Sequence, residues 1–186
     1  MLLNFNPNLF IMKKTLLLVI LLCTSYFGFS QGTKYGVRAG YNISNLDFDG
    51  VPIMENKHRN GFMIGFFGEY GLSKSVALMP EIQFSSEGAK AQELRIDYIQ
   101  VPVYFKFRLH EKFHIGFGPQ AGVKIYEDGD LFRNFAYSGV GGIEIKLSHV
   151  LFLDARYTYG FTNVFDEDLN IEAKNTNIQI GVGYKF

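Results

Sequence analysis

The sequence lacks several features that commonly stabilise small domains or anchor them in a membrane. It contains one cysteine, Cys23, and no tryptophan among 186 residues. A single thiol excludes an internal disulfide and a zinc site built from several thiolates. After residue 30, no apolar run approaches the roughly 20 residues that a transmembrane helix needs. Basic and acidic residues balance at 18 each, so nothing indicates nucleic acid as a partner.

The one strongly apolar segment lies near the N-terminus. Two lysines precede the apolar run 15–22, and the small residues Gly28 and Ser30 end the segment. A basic start, a short apolar centre and a small-residue end are typical of a secretory signal peptide. We therefore predict a signal peptide over residues 1–30. The alternative, a membrane anchor, needs a longer apolar run.

Removal of the signal peptide leaves residues 31–186 as one predicted domain. Residues 1–11 read as an extension upstream of a more natural start at Met12. The two lysines leave with the signal peptide, so 16 basic and 18 acidic residues remain, a net charge of −2. Cys23 leaves as well, and the residue before it is too large for a lipoprotein signal. The mature domain must therefore be stabilised by packing and hydrogen bonding.

Eight stretches of the mature sequence alternate apolar and polar residues, as β-strands do when they have two different faces. Short turns and longer polar loops alternate between them. This arrangement is typical of transmembrane barrels, which have short periplasmic turns and long extracellular loops. We predict an all-β fold, an eight-stranded antiparallel up-and-down transmembrane β-barrel. The predicted strands are 34–43, 60–72, 76–85, 96–109, 113–126, 134–147, 151–162 and 176–186.

The tight turns also predict the register of the strands. Residues that face each other must lie on the same side of the sheet, which favours three-residue turns at all three sites. The predicted pairs are Leu72 with Val76, Leu109 with Phe113, and Leu147 with Leu151.

Three prolines interrupt the predicted strands. Pro80, Pro102 and Pro119 each lack an N–H, and a closed barrel has no edge strand where that loss is harmless. We therefore expect each proline at a bulge or at a strand end.

The two faces of the strands indicate what surrounds the barrel. In the fifth strand, one face is apolar from Phe113 to Ile125, whereas the other runs from His114 to Tyr126 with glycine and polar residues. The interior of an eight-stranded barrel is just wide enough for side chains. The bulky apolar face must then point outward, where lipid covers it. A soluble ligand-carrying barrel, the alternative, would need the opposite polarity.

The last strand shows the same alternation up to Phe186. Ile178, Ile180 and Val182 are predicted to face lipid together with Tyr184 and Phe186. These two aromatic residues are the predicted insertion signal, which barrel-assembly machinery would recognise. Gln179, Gly181, Gly183 and Lys185 are predicted to face the lumen.

Several strands carry motifs that resemble those of a known family. The stretches are Tyr98–Phe107, Phe117-Gly118-Pro119, Gly139–Glu144, Asp154–Asn163 and Gly181–Phe186. In this order they resemble the PorT-type outer-membrane β-barrel domain family, and the resemblance covers the whole mature chain. It implies an eight-stranded barrel of the outer membrane, and some members are linked to protein secretion or gliding machinery. It does not imply one shared biochemical activity.

The predicted register brings charged side chains together inside the barrel. Glu144 and Asp154 face each other across strands six and seven, and like charges in that position are destabilising. Lys146 and Arg156 lie on diagonal positions from which they could pair with both carboxylates. We predict an internal salt-bridge network that fills the lumen, because buried charges must be paired. The predicted members are Arg38, Glu69, Glu81, Lys106, Arg108, Lys124, Glu144, Lys146, Asp154 and Arg156.

The paired carboxylates could instead form an active site, but other signs of catalysis are missing. The four histidines are spread over turns, one loop and one strand, with no metal-binding spacing. A hydrolase would need a nucleophile and a base within reach of each other, and the sequence indicates no such set. We predict no enzyme, no cofactor and no metal site.

Acidic residues concentrate in the four long loops, with Asp166, Glu167 and Asp168 in the last. Most such loops are simply solvated, although an acidic mouth could bind divalent cations or a basic partner. The predicted function is structural or interactive, with a plugged barrel displaying loops, as an accessory to secretion or surface assembly. A narrow passive channel and a lipid-modifying enzyme are the alternatives. The predicted partners are outer-membrane lipid and lipopolysaccharide, barrel-assembly machinery, and a secretion-system or surface protein.

Overall fold

A computed structural model shows a closed antiparallel β-barrel. It describes residues 32–49, 57–128, 131–165 and 171–186; the predicted signal peptide and its upstream extension lie outside these ranges. Each strand pairs with the next, and β1 pairs with β8 to close the barrel. In the described residues, no helix is long and apolar enough to cross a membrane. The strands are β1 Lys34–Phe48, β2 Arg59–Gly71, β3 Val76–Gly88, β4 Arg95–Arg108, β5 Phe113–Glu127, β6 Phe135–Lys146, β7 Leu151–Gly160 and β8 Ala173–Lys185.

The three short turns have the predicted length. The N–H of the last residue before each turn donates to the carbonyl of the first residue after it, at 2.9–3.1 Å, in the pairs Leu72–Val76, Leu109–Phe113 and Leu147–Leu151. Two of the turns begin with serine rather than using glycine. The hydroxyl of Ser73 accepts hydrogen bonds from the turn N–H groups, and Ser148 does the same in its turn. Such serine turns satisfy the backbone locally.

The strands extend further at the long-loop end than the sequence predicted. β1 continues to Phe48 and β3 to Gly88, and β8 begins at Ala173. In the β1 extension the alternation continues but is reversed, with Leu46 and Phe48 turned inward, and the added residues of β3 and β8 are mostly polar, so the pattern of apolar residues facing outward is lost. Gly88 ends β3 at φ +90°, a conformation that favours glycine, and a Cβ there would lie 2.1 Å from the carbonyl oxygen of Leu94.

The predicted faces are confirmed along the strands, with one local error. In β8, Ile180 is 56% exposed on the outer surface, whereas Gln179 is 1% exposed inside the barrel. Tyr126, predicted to face the lumen, is 53% exposed instead. The register between β4 and β5 shifts between Asp97 and Tyr98. A bulge of this kind adds one residue to one strand and reverses the faces beyond it.

The expectation for the prolines is wrong. Pro80, Pro102 and Pro119 lie inside β3, β4 and β5, and the register continues unchanged across each of them. Each proline is paired with a residue of the following strand. On its other side, the proline and one adjacent residue are not paired with the preceding strand. The missing N–H therefore opens one ladder locally, while the other ladder holds the strand in register.

Candidate functional site: the barrel interior

Inward-facing side chains occupy the barrel in successive layers, and the layer nearest the short turns is ionic. Lys185 Nζ lies 2.7 Å from Glu69 and 3.5 Å from Glu144. Lys106 pairs with the same two carboxylates, at 3.1 Å from Glu144. These four residues, called here the lower ion cluster, hold two positive and two negative charges. His114 lies beside them, with Nδ1 4.0 Å from Glu144.

An aromatic and aliphatic layer lies against the lower ion cluster, with the Lys185 ammonium 4.8 Å from the centre of the Phe152 ring. Its buried members are Phe67, Met79, Tyr104, Val140 and Phe152. The rings of Phe67 and Phe152 meet edge to face, with centroids 5.7 Å apart. Glycine on the neighbouring strand makes room for these rings, since a Cβ at Gly183 would lie 2.0 Å from the ring of Phe152. The small inward residues therefore allow large side chains to fill the lumen.

Arg38 lies at the middle of the barrel and is fully buried. Its guanidinium donates two hydrogen bonds to Asp154, at 2.6 and 2.8 Å, and a third to Gln179 at 3.0 Å. Bidentate pairs of this geometry are among the stronger hydrogen-bonded ion pairs. Gly181 leaves the space for the pair, because a Cβ there would lie 2.8 Å from Asp154.

Arg156 completes a second ion cluster around Arg38. It donates to Glu81 at 2.8 Å and lies 3.3 Å from Asp154, and Glu81 also lies 3.6 Å from Arg38. The guanidinium of Arg156 stacks 4.7 Å above the ring of Tyr104. The four charged residues, called here the central ion cluster, are all buried and balance to zero charge.

Above the central ion cluster the interior becomes a network of amides and hydroxyls around one carboxylate. Glu87 is 1% exposed and accepts hydrogen bonds from Ser85 at 2.6 Å, Gln100 at 2.9 Å and Asn177 at 3.0 Å, with Asn175 as a fourth donor. Glu87 lies just after the predicted third strand, 76–85, in one of the long acidic loops that were predicted to be solvated, and for this residue that prediction is wrong. The strand extension of β3 turns its side chain inward, where neutral donors surround it.

A small apolar core, called here the apolar cap, lies at the long-loop end. The rings of Phe132 and Phe165 stack with centroids 5.0 Å apart. Backbone hydrogen bonds from Arg133 to Val164 and from Val164 to Ala173 hold the two loop segments together. The sequence analysis missed the cap, although apolar pairs such as Leu131-Phe132 inside acidic loops indicate it. Its buried members are Leu46, Ala89, Leu94, Ile96, Tyr98, Phe132, Val164, Phe165 and Ala173.

The structure places most of the predicted network residues inside the barrel, and one predicted contact is confirmed, since Arg156 lies 3.3 Å from Asp154. Glu144 pairs with Lys106 and Lys185 instead of the predicted Lys146 and Arg156. Glu144 lies opposite Asp154 in the register of β6 and β7. Each carboxylate joins a different cluster, so their repulsion is offset separately. Near the long loops, Lys124 pairs with Glu127.

Two predicted network residues lie outside it. Lys146 does not pair with Glu144 or Asp154, and Arg108 is exposed and donates to the backbone carbonyl of Lys74. The alternation of side chains along the strand predicts an inward direction for both residues. However, each one is the last residue of its strand, at the mouth of the barrel and beyond the last carboxylates. Of the loop residues predicted as an acidic mouth, Asp166, Glu167 and Asp168 lie outside the described residues.

The described side chains inside the barrel do not form a recognisable catalytic or metal-binding cluster. Within the described ranges, no group of three or more His, Cys, Asp or Glu side chains could hold a metal ion. The carboxylates of the two ion clusters are held by arginine and lysine rather than placed beside a nucleophile. What the arrangement can do is connect strands that are distant in the sequence from inside the barrel.

The chain matches a family model described as outer membrane protein beta-barrel domain, over residues 15–186. Its structure is similar to Neisserial surface protein A, with a TM-score of 0.59 and 11% identity, covering 84% of this chain and 100% of that one. It is also similar to Ail, the attachment invasion locus protein of Yersinia pestis, with a TM-score of 0.53, 17% identity and coverage of 84% and 100%. No curated protein is significantly similar in sequence.

Proposed function

This chain belongs to the outer membrane protein beta-barrel domain family, and we propose that it is a closed, non-conducting barrel that displays surface loops to a protein partner. Its location is the outer membrane, with the apolar outer face of the strands in lipid. Short turns then lie in the periplasm and long loops at the cell surface.

The observation that carries this proposal is the set of large, buried side chains that point into the barrel. Two neutral ion clusters, the aromatic layer between them, the amide network around Glu87 and the apolar cap follow one another along the barrel axis. Water-filled barrels need more strands and a polar interior wall without such packing. An ion that crossed this barrel would have to break buried, charge-assisted contacts at several levels.

Planar bilayer recordings test the non-conducting state directly. We expect the refolded protein to give no stable single-channel steps, whereas an open porin in the same bilayer serves as the positive control. Large and stable unitary currents from the native protein would instead identify a narrow passive channel. A heat-dependent shift in gel mobility, measured on the same sample, ensures that the barrel is folded.

We expect the long loops to contact the partner. The proposed partner is a secretion-system or surface-assembly protein of the kind associated with PorT. Site-specific photo-cross-linking in living cells tests this placement. A cross-linking residue at exposed Gln92, in the loop between β3 and β4, should give a discrete protein adduct. The matched control at Phe62, exposed on the lipid face, should give none. Equal labelling from both positions would contradict display by the loops.

A further inference from the structure

A cavity of about 450 Å³ opens at the periplasmic mouth, beneath the lower ion cluster. Its charged wall is almost entirely basic. The cations come from the ends of β1, β4, β6 and β8 and from the turn after β4, so the closed barrel alone brings them together. The charged residues are Lys34, Arg108, Lys112, Lys146, Lys185 and, as the single acid, Glu111.

Four of these cations have no acidic partner in the described part of the chain. No carboxylate oxygen lies within 4.0 Å of a side-chain nitrogen of Lys34, Arg108, Lys112 or Lys146. Lys185 is engaged by Glu69 and Glu144. The lower ion cluster is already neutral, so it cannot compensate the excess. The mouth therefore carries a concentrated positive charge that the protein leaves open to the periplasm.

The geometry favours a compact ligand with several negative charges. A concave site lined by one sign of charge focuses the field and concentrates counter-ions. The cavity volume is within the usual range for small-molecule sites, and the filled lumen beyond it makes the site a blind cup. A guanidinium and several ammonium groups suit phosphate oxygens, the former as a fork and the latter as point charges. A ligand with a single carboxylate group would neutralise only one of the four unpaired cations and is therefore a poorer match than a ligand with several phosphate charges.

We propose that this periplasmic cup binds a polyvalent phosphate, supplied either by a free phosphate compound or by the headgroup of an inner-leaflet phospholipid. Lys112, in the turn after β4, and Lys146, at the end of β6, line the cavity and provide two of the charges. Arg108 is oriented by its hydrogen bond to the carbonyl of Lys74. The proposal is independent of what the surface loops bind, because it concerns the opposite end of the barrel.

Calorimetric titration of inorganic pyrophosphate into the folded full-length barrel, in an uncharged detergent at low ionic strength, tests the site. We expect saturable binding of one pyrophosphate per barrel that weakens as salt is added. The double variant Lys112→Gln with Lys146→Gln should lose at least tenfold in affinity. The matched control, Lys90→Gln with Lys174→Gln, removes two exposed lysines at the opposite, long-loop end of the barrel and should bind like the native protein.

Two outcomes would overturn the proposal. One is the absence of saturable binding by native protein whose folding is established by its heat-dependent gel shift. The other is an equal loss of affinity in the control and the cup variants, which would reduce the binding to the net charge of the chain.

Nanodiscs then distinguish the two sources of phosphate. If cardiolipin, whose headgroup carries two phosphates, competes with pyrophosphate but phosphatidylcholine does not, the occupant is a lipid headgroup. If neither lipid competes, the occupant is a free phosphate compound, and either result supports the site.

Discussion

The lower and upper halves of the lumen are built from the same alternating strands but are held by different interactions. The lower half contains eight buried or half-buried charges in two neutral clusters, centred on Lys106 and Arg38. The upper half has a single deeply buried carboxylate, Glu87, surrounded by amides and hydroxyls, and then the apolar cap. The two halves are linked, because Gln83 accepts from Arg38 at 3.3 Å and donates to Gln100 at 2.8 Å.

The comparison shows two ways of filling a narrow barrel. Ion clusters give strong and directional contacts between strands, but each member depends on its counter-charge, because an unpaired buried charge is costly. A carboxylate with neutral donors keeps its hydrogen bonds when one donor is lost. The lower half should therefore be the more sensitive to the loss of one charged residue.

Arg38→Met should have the largest effect on stability. It leaves Asp154 buried without its bidentate partner, and we expect a loss of about 3–5 kcal/mol in the free energy of unfolding. Urea titration of the refolded barrel, followed by the gel shift, measures it. Tyr41→Phe, on the lipid face of the same strand, is the control and should unfold like the native protein.

The double variant Arg38→Met with Asp154→Leu sharpens this prediction. It removes the charge pair together and leaves Glu81 paired with Arg156, so we expect it to recover much of the loss. A double variant as unstable as the sum of its two single variants would show that the ion pair is not what makes the lower half sensitive.

Glu87→Gln should have a smaller effect. Glutamine keeps the shape and one carbonyl acceptor, but its amide group faces donors from Gln100 and Asn177 that then lack a partner. We expect a loss of about 1–3 kcal/mol in the same unfolding assay. Glu93→Gln, in the adjacent loop, should leave the unfolding midpoint unchanged. If Glu87→Gln lost as much unfolding free energy as Arg38→Met, the lower half of the lumen would not be more sensitive to the loss of a charge than the upper half.

Lys146→Gln should have the smallest effect, because the structure gives this residue no carboxylate partner. We expect a change within about 0.5 kcal/mol, whereas Lys185→Gln, which removes a partner of both Glu69 and Glu144, should be clearly destabilising. The pair of variants is compared in one denaturant series. Equal losses of unfolding free energy in the two variants would support the ion pair of Lys146 that the sequence analysis predicted.

The sequence analysis predicted the barrel and its turns well, but of the internal ion pairs that it named, only Arg156 with Asp154 is present among the described residues. The inward position of Glu144 and Asp154 follows from strand parity, which is a local property. The partners of these two carboxylates cannot be predicted from strand alternation, because Lys106 and Arg38 come from strands that are distant in the sequence and meet them across the lumen. The apolar cap escaped prediction for the same reason, since Phe132 and Phe165 contact each other only after their loops fold over the mouth.

The alternation of side chains and the short turns were therefore determined by the sequence itself, because both depend on neighbouring residues and on the two-residue period of a strand. That information places an apolar face outward and a glycine-rich polar face inward. The choice of partners, the extension of β3 that buries Glu87, and the basic cup at the periplasmic mouth were decided only by the tertiary structure. Barrel closure brings side chains from distant strands across a lumen too narrow to leave them apart.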